Sequence, residues 1–230
     1  MIKVKICGMT TQGDIEMCSG AGADALGFVT EYPQDVPWNL SAERAARLMQ
    51  HVPNGVVKFM VAGGLPEEIV SLAKRTRPDV VQLHGGETTA ETAETAEQLR
   101  ALGIRAAKAL RTDEDGNLLF EHKNILEAVK ALEKTGVAAI LLDSATRDRP
   151  GGTGRTVNVE TYKALIRATT LPIILAGGLR AENLAGVLSA GTPYMLDVLT
   201  GVEKSPGVKD IKKTAAFIRS AKTIQKEMRA

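Results

Sequence analysis

Aromatic side chains are scarce in this chain: one Trp, three Tyr and four Phe make up 3% of 230 residues. A protein that strings bases along stacking platforms needs more. The net charge of +2 is too small to draw the chain to nucleic acid or to an anionic membrane surface. Cysteine is rarer still. Cys7 and Cys18 are the only two, too few for a disulfide framework. The three histidines, His51, His84 and His122, lack metal-ligand spacing, so no metal is expected. No apolar run is long enough to span a bilayer. The opening MIKVKIC enters a strand directly, without a signal-peptide core and cleavage site. A cytoplasmic protein is expected, and nothing in the sequence indicates an oligomeric state.

What is present is an alternation of short apolar runs and helical periodicities. Strands are predicted over 2–7, 24–29, 55–61, 80–84, 104–110, 137–143, 171–176 and 194–198. Helices are predicted over 11–21, 41–50, 66–75, 90–102, 118–134, 158–168, 181–190 and 208–222, with a charged, fraying end after the last. Residues 111–117 read as a polar connection. Eight strands alternating with eight helices over short loops fit a single α/β domain, a (β/α)₈ TIM barrel spanning 1–230. An open doubly wound sheet is the alternative, and the missing G-x-G-x-x-G after the first strand counts weakly against its dinucleotide-binding form.

In such a barrel, chemistry sits at the C-terminal ends of the strands. Cys7 ends the first strand and shares a face with Lys5, whose charge would favour a thiolate. Taken alone, Cys7 could be a small buried hydrophobe; its place opposite an acid argues for a role. Asp143 ends the apolar run 137–142, a partly desolvated place suited to a general acid. His84 ends the fourth strand, where it either touches substrate or only hydrogen-bonds the rim. Lys5 either tunes the site or pairs with another inward residue, and Asp197 ends the eighth strand. Glycine-bearing loops follow strands six, seven and eight: Gly152 and Gly154, Gly177 and Gly178, and Thr200 with Gly201. The loops after strands seven and eight are where barrels often hold a phosphate, so a small phosphorylated substrate is expected.

Lys5-Ile6-Cys7-Gly8-Met9-Thr10, Val81-Gln82-Leu83-His84-Gly85, Leu142-Asp143, Gly151-Gly152-Thr153-Gly154 and Leu175-Ala176-Gly177-Gly178-Leu179 together resemble the phosphoribosylanthranilate isomerase family of tryptophan biosynthesis. The match covers nearly the whole chain, in order. It implies a TIM barrel without cofactor or metal, catalysing an Amadori rearrangement. Asp143 would protonate the furanose ring oxygen, and Cys7, as thiolate, would remove the C2 proton.

The chain departs from the family on the side that reads the aromatic ring. Trp38, in Val36-Pro37-Trp38-Asn39-Leu40, stands where the family has an arginine for the anthranilate carboxylate, and an indole cannot form a bidentate ion pair. Val157-Asn158-Val159 replaces Phe-Asp-Trp, Leu199-Thr200 replaces Ser-Ser, and strand three ends in Ala62-Gly63-Gly64. Arg147, Arg149 or Arg180 are candidates to supply the missing charge. Besides the isomerase, the residues leave open a paralogous isomerase of another phosphorylated aldoamine or sugar phosphate. They also leave open a non-catalytic phosphosugar-binding barrel.

Overall fold

In a computed structural model that describes residues 2–113, 115–144 and 157–228, eight parallel strands close on themselves in sequence order. They are β1 (Lys3–Ile6), β2 (Ala25–Val29), β3 (Val57–Ala62), β4 (Val80–Leu83), β5 (Arg105–Thr112), β6 (Ala139–Ser144), β7 (Ile173–Leu175) and β8 (Met195–Val198). Closure is made by β1 against β8, where Lys5 pairs with Asp197. The helices between them are α1 (Gln12–Gly20), α2 (Ala42–Met49), α3 (Pro66–Thr76), α4 (Thr89–Ala101), α5 (Ile125–Glu133), α6 (Val159–Ala168), α7 (Leu184–Leu188) and α8 (Ile211–Glu227). The expected (β/α)₈ barrel is the fold. Among the described residues, no helix is long and apolar enough to cross a membrane.

Strand alternation sorts the side chains into two layers. Val4, Ile6, Leu26, Phe28, Met60, Val81, Leu83, Ile140 and Leu142 face outward into the main core shared with the helices. Their neighbours Ala25, Phe59, Val80, Ala107, Ala139, Leu141, Ile174 and Met195 fill the barrel's interior. Burial on both sides explains why the strands are near-continuous apolar runs. Above the interior layer the inward positions turn polar, and there the site begins.

Three predicted helices begin later than their periodicity suggests: that over 181–190 is a turn until Leu184 and ends at Leu188, and the other two are held back by capping. The segment 118–134 becomes helical only at Ile125, because the Asn124 side chain accepts from the N–H groups of Leu126 and Glu127. Before it, Asp113 accepts from the N–H groups of Asp115 and Asn117 and folds a tight turn. Leu118 bridges back to Thr112, so that Arg111 and Thr112 extend β5 instead of forming a loop. The last helix starts at Ile211, not Val208, behind the Asp210 cap. Residues 203–209 form a small antiparallel ribbon of β9 (Glu203–Ser205) and β10 (Val208–Lys209). At its far end α8 continues to Glu227, beyond the expected stop at Lys222.

Candidate active site

The C-terminal mouth of the barrel holds a cavity open to solvent. Its lining includes Cys7, Trp38, His84, Asp143, Gly177, Gly178, Asp197, Thr200 and Gly201. Lys5 is brought beside these residues but lies beneath the floor, 0% exposed, and does not line the cavity. Gly152, Gly154, Arg147 and Arg149 lie outside the described residues.

Lys5 anchors the floor. Its Nζ donates to Asp197 Oδ2 at 2.6 Å and to Gln82 Oε1 at 2.8 Å, and it sits 5.1 Å over the Phe59 ring. Burial works against the ammonium, but Asp197 and Cys7 outweigh it and hold Lys5 above its ordinary value. Asp197 spends one oxygen on Lys5. Its Oδ1 is buried at the cavity with no hydrogen-bond donor among the described residues, a costly state that a ligand hydroxyl would relieve.

Cys7 stands one inward position above Lys5. Burial pushes its thiol up from the usual 9.0, Lys5 pulls it down, Asp197 pushes it up again, and the net is upward. The expectation that Lys5 would leave Cys7 with a lowered value therefore fails, because desolvation exceeds the charge effect. Room for both side chains comes from Gly27 on β2. A Cβ there would lie 2.6 Å from Cys7 Sγ and 3.0 Å from Lys5 Cε.

Asp143 faces inward from β6, and its carboxylate Oδ2 lies 3.4 Å from His84 Nε2. Gln82 Nε2 is 3.0 Å from His84 Nδ1, and the Tyr32 hydroxyl donates to the His84 carbonyl at 3.0 Å. His84 is thus placed in the site as well as tied to the rim. Arg111, the register partner of Asp143 on β5, continues the inward series Ala107, Ala109 and so faces the same mouth.

Trp38 occupies the wall. Its ring packs on Gly8, where φ is +77° and a Cβ would sit 2.7 Å from Trp38 Cδ1 and 2.4 Å from Leu199 Cδ1. Its Nε1 donates to Glu203 Oε1 at 2.7 Å, an oxygen that also pairs with Lys209 Nζ at 2.7 Å. The indole N–H is therefore committed away from the cavity. With Cys7, Val29, Tyr32 and Val61 it forms one apolar cluster.

On the opposite edge the loops after β7 and β8 press together. Gly177 and Gly178 have φ of +91° and +59°, and a Cβ at Gly177 would lie 2.6 Å from Ser144 Oγ. A Cβ at Gly201 would lie 1.9 Å from the Leu179 carbonyl. Asn183 staples the first loop, donating to Gly178 O at 2.9 Å and accepting from Arg180 N at 2.8 Å. Thr200 opens a single 3₁₀ turn, Thr200–Val202, whose first N–H groups have no partner within the turn. Exposed N–H groups at the ends of tight glycine turns are what a phosphate needs. Arg180 is exposed and lies against Gly201, on this edge and away from the Trp38 wall.

Sequence reasoning assigned no role to Gln82, Gly27, Tyr32, Glu203, Lys209 or Arg111. Gln82 lay inside one of the quoted motifs. A signal for Gly27 was available too, since a glycine inside an apolar strand marks a close approach.

Fold and site define a (β/α)₈ barrel enzyme with an inward thiol, an inward carboxylic acid and a glycine-lined edge suited to an anion. The comparisons narrow this class. The family model described as N-(5'phosphoribosyl)anthranilate (PRA) isomerase matches residues 4–220, and the chain belongs to that family. The isomerase of Methanopyrus kandleri is 36% identical over 97% of this chain and 100% of its own. That of Geotalea daltonii is 39% identical over 96% and 97%. The crystal structure of the enzyme from Thermotoga maritima superposes with a TM-score of 0.78 at 31% identity, over 97% of this chain and 100% of that one. A further phosphoribosyl anthranilate isomerase structure, at 30% identity and TM-score 0.73 over 97% of this chain and 100% of that one, holds reduced 1-(o-carboxyphenylamino)-1-deoxyribulose 5-phosphate.

Proposed function

We propose that this chain catalyses the Amadori rearrangement of N-(5-phosphoribosyl)anthranilate to the 1-deoxyribulose 5-phosphate ketoamine, as a cytoplasmic enzyme of tryptophan biosynthesis. The observation that carries the reading is the convergence of Cys7 and Asp143 on one cavity edged by Gly177, Gly178, Thr200 and Gly201. Asp143 gives its proton to the furanose ring oxygen, and the C1–O bond breaks to leave a protonated Schiff base. The Cys7 thiolate takes the C2 proton, and the electron pair left behind neutralises the iminium as an enolamine, which tautomerises to the ketone. Phosphate rests on the backbone N–H groups of the loops after β7 and β8.

Asp197 has a double part in this scheme. Its unpaired Oδ1 accepts from a ribose hydroxyl, and in doing so it loses some of the negative charge that opposes ionisation of Cys7. Lys5 then acts on the thiol with less opposition. Substrate thus favours the thiolate that attacks it.

The test is turnover of phosphoribosylanthranilate by the purified protein, followed as a change in anthranilate fluorescence, with Cys7→Ala and Asp143→Asn alongside. Each substitution is expected to lower kcat by about 10²–10⁴-fold, the usual worth of a positioned acid or base. A folded wild type that binds ribose 5-phosphate but turns over no phosphoribosylanthranilate would sink the assignment.

A further inference from the structure

One polar chain in the barrel mouth is not used by the steps above. Lys5 Nζ donates to Gln82 Oε1 at 2.8 Å, Gln82 Nε2 lies 3.0 Å from His84 Nδ1, and His84 Nε2 lies 3.4 Å from Asp143 Oδ2. Each link has a direction imposed by chemistry. An ammonium can only donate, so the Gln82 atom facing Lys5 is the carbonyl oxygen. The amide nitrogen is then the atom facing His84, and it too can only donate. His84 Nδ1 must therefore be the bare, accepting nitrogen. The ring's proton sits on Nε2, on the side of Asp143.

Other assignments fail on the same ground. An imidazolium would set N–H against N–H across the 3.0 Å contact. Turning the Gln82 amide to relieve that would set its NH₂ against the Lys5 ammonium across 2.8 Å. Both contacts are direct, at 2.8 and 3.0 Å, so no water lies between the groups to separate two donors. The ammonium itself is pinned by Asp197 at 2.6 Å.

We propose that Gln82 is a positioning residue that holds His84 neutral with its proton on Nε2. Asp143 then meets a neutral N–H dipole and not a full positive charge, and so retains the proton it must deliver. A cation at that distance would favour the ionised carboxylate and disarm the acid. The kinetic consequence rests on the isomerase reading; the proton's location does not. Among the described residues, the charged and titratable groups facing His84 are Asp143 from β6, Arg111 from β5 and Tyr32 from the loop after β2. One layer below are Lys5 and Cys7 from β1 and Asp197 from β8, and the Lys108–Glu87 pair lies behind β5.

With three histidines in the chain, ¹⁵N-histidine labelling gives a readable imidazole spectrum, and His51→Gln and His122→Gln assign the other two. Long-range ¹H–¹⁵N correlations of the substrate-free protein are expected to show His84 with a bare Nδ1 and a protonated Nε2 through neutral pH. Gln82→Glu replaces the donor by an acceptor and is expected to place a proton on Nδ1. It should lower kcat by about tenfold or more with little change in KM, and move the alkaline limb of kcat to lower pH. An Nδ1–H tautomer or an imidazolium in the wild type would overturn the proposal, even if Gln82→Glu fails to fold. So would a Gln82→Glu protein whose His84 spectrum and kcat match the wild type. Loss of all turnover in the wild type, with the expected His84 spectrum, would strike the isomerase reading and leave the tautomer standing.

Discussion

Along β1, β2, the loop that follows it and β3, the cavity is walled by Cys7, Val29, Tyr32, Trp38 and Val61, one apolar cluster. Across from it, β4, β6 and the loop after β7 present Gln82, His84, Asp143, Gly177 and Gly178. The proposed acid and the proposed base are thus kept in different surroundings. Burial among apolar groups leaves Cys7 dependent chiefly on Lys5, with a smaller pull from Lys209, for its thiolate. In the proposal above, Asp143 depends on the direction of a chain of polar contacts that begins at that same Lys5. Two unlike walls are therefore served by one ammonium under the floor.

Removing that ammonium is the strongest way to break the arrangement. Lys5→Met leaves Asp197 buried without its partner, and the loss of one member of a buried pair costs about 3–5 kcal/mol of stability, measurable by chemical denaturation. It also removes the group that pulls the Cys7 thiol down most. If the thiolate is the base, kcat/KM rises with pH as Cys7 loses its proton. In Lys5→Met this acid limb is expected to move to higher pH. A variant with an unmoved limb would show that Lys5 does not govern Cys7.

The two walls differ in how much of them the sequence disclosed. Strand alternation placed Cys7 over Lys5 and set Asp143 at the end of an apolar run, because parallel strands buried on both faces leave a simple trace. The glycines after β7 and β8 were legible from their position alone. What escaped notice depended on contacts between distant strands. Lys5 and Gln82 are 77 residues apart, and Trp38 and Glu203 are 165 apart; no local pattern announces either bond. The direction of the Cys7 shift escaped for a related reason, since the depth of burial is a tertiary quantity. Capping defeated two helix starts: Asn124 and Asp210 were present, but apolar periodicity ran past them.

A milder change sharpens the same comparison from the apolar side. In Gly27→Ala the new methyl would lie 2.6 Å from Cys7 Sγ and 3.1 Å from Cys7 Cα. The second contact is with backbone, so a rotamer change cannot relieve it. Overpacking of this kind costs about 1–3 kcal/mol, and kcat is expected to fall with little change in KM, since the thiol is displaced while the glycine edge proposed to hold phosphate is untouched. Equal loss in KM would mean that the apolar wall also sets ligand affinity.

Trp38→Arg is expected to have the smallest effect, and it decides what the apolar wall is for. Here the indole N–H is spent on Glu203, which Lys209 already neutralises. An arginine at this place would extend toward the same carboxylate, so its charge would be absorbed before reaching the cavity. Arg111, inward on β5 beside Asp143, remains as a cation of the described mouth. If a carboxylate on the substrate is met from that side, KM for phosphoribosylanthranilate changes by no more than about threefold, under 1 kcal/mol. A drop of tenfold or more would mean that the wall had offered an uncharged ring's surface to a charged substrate. The aromatic half of the cavity would then be shaped for an arylamine, or another amine, that carries no carboxylate.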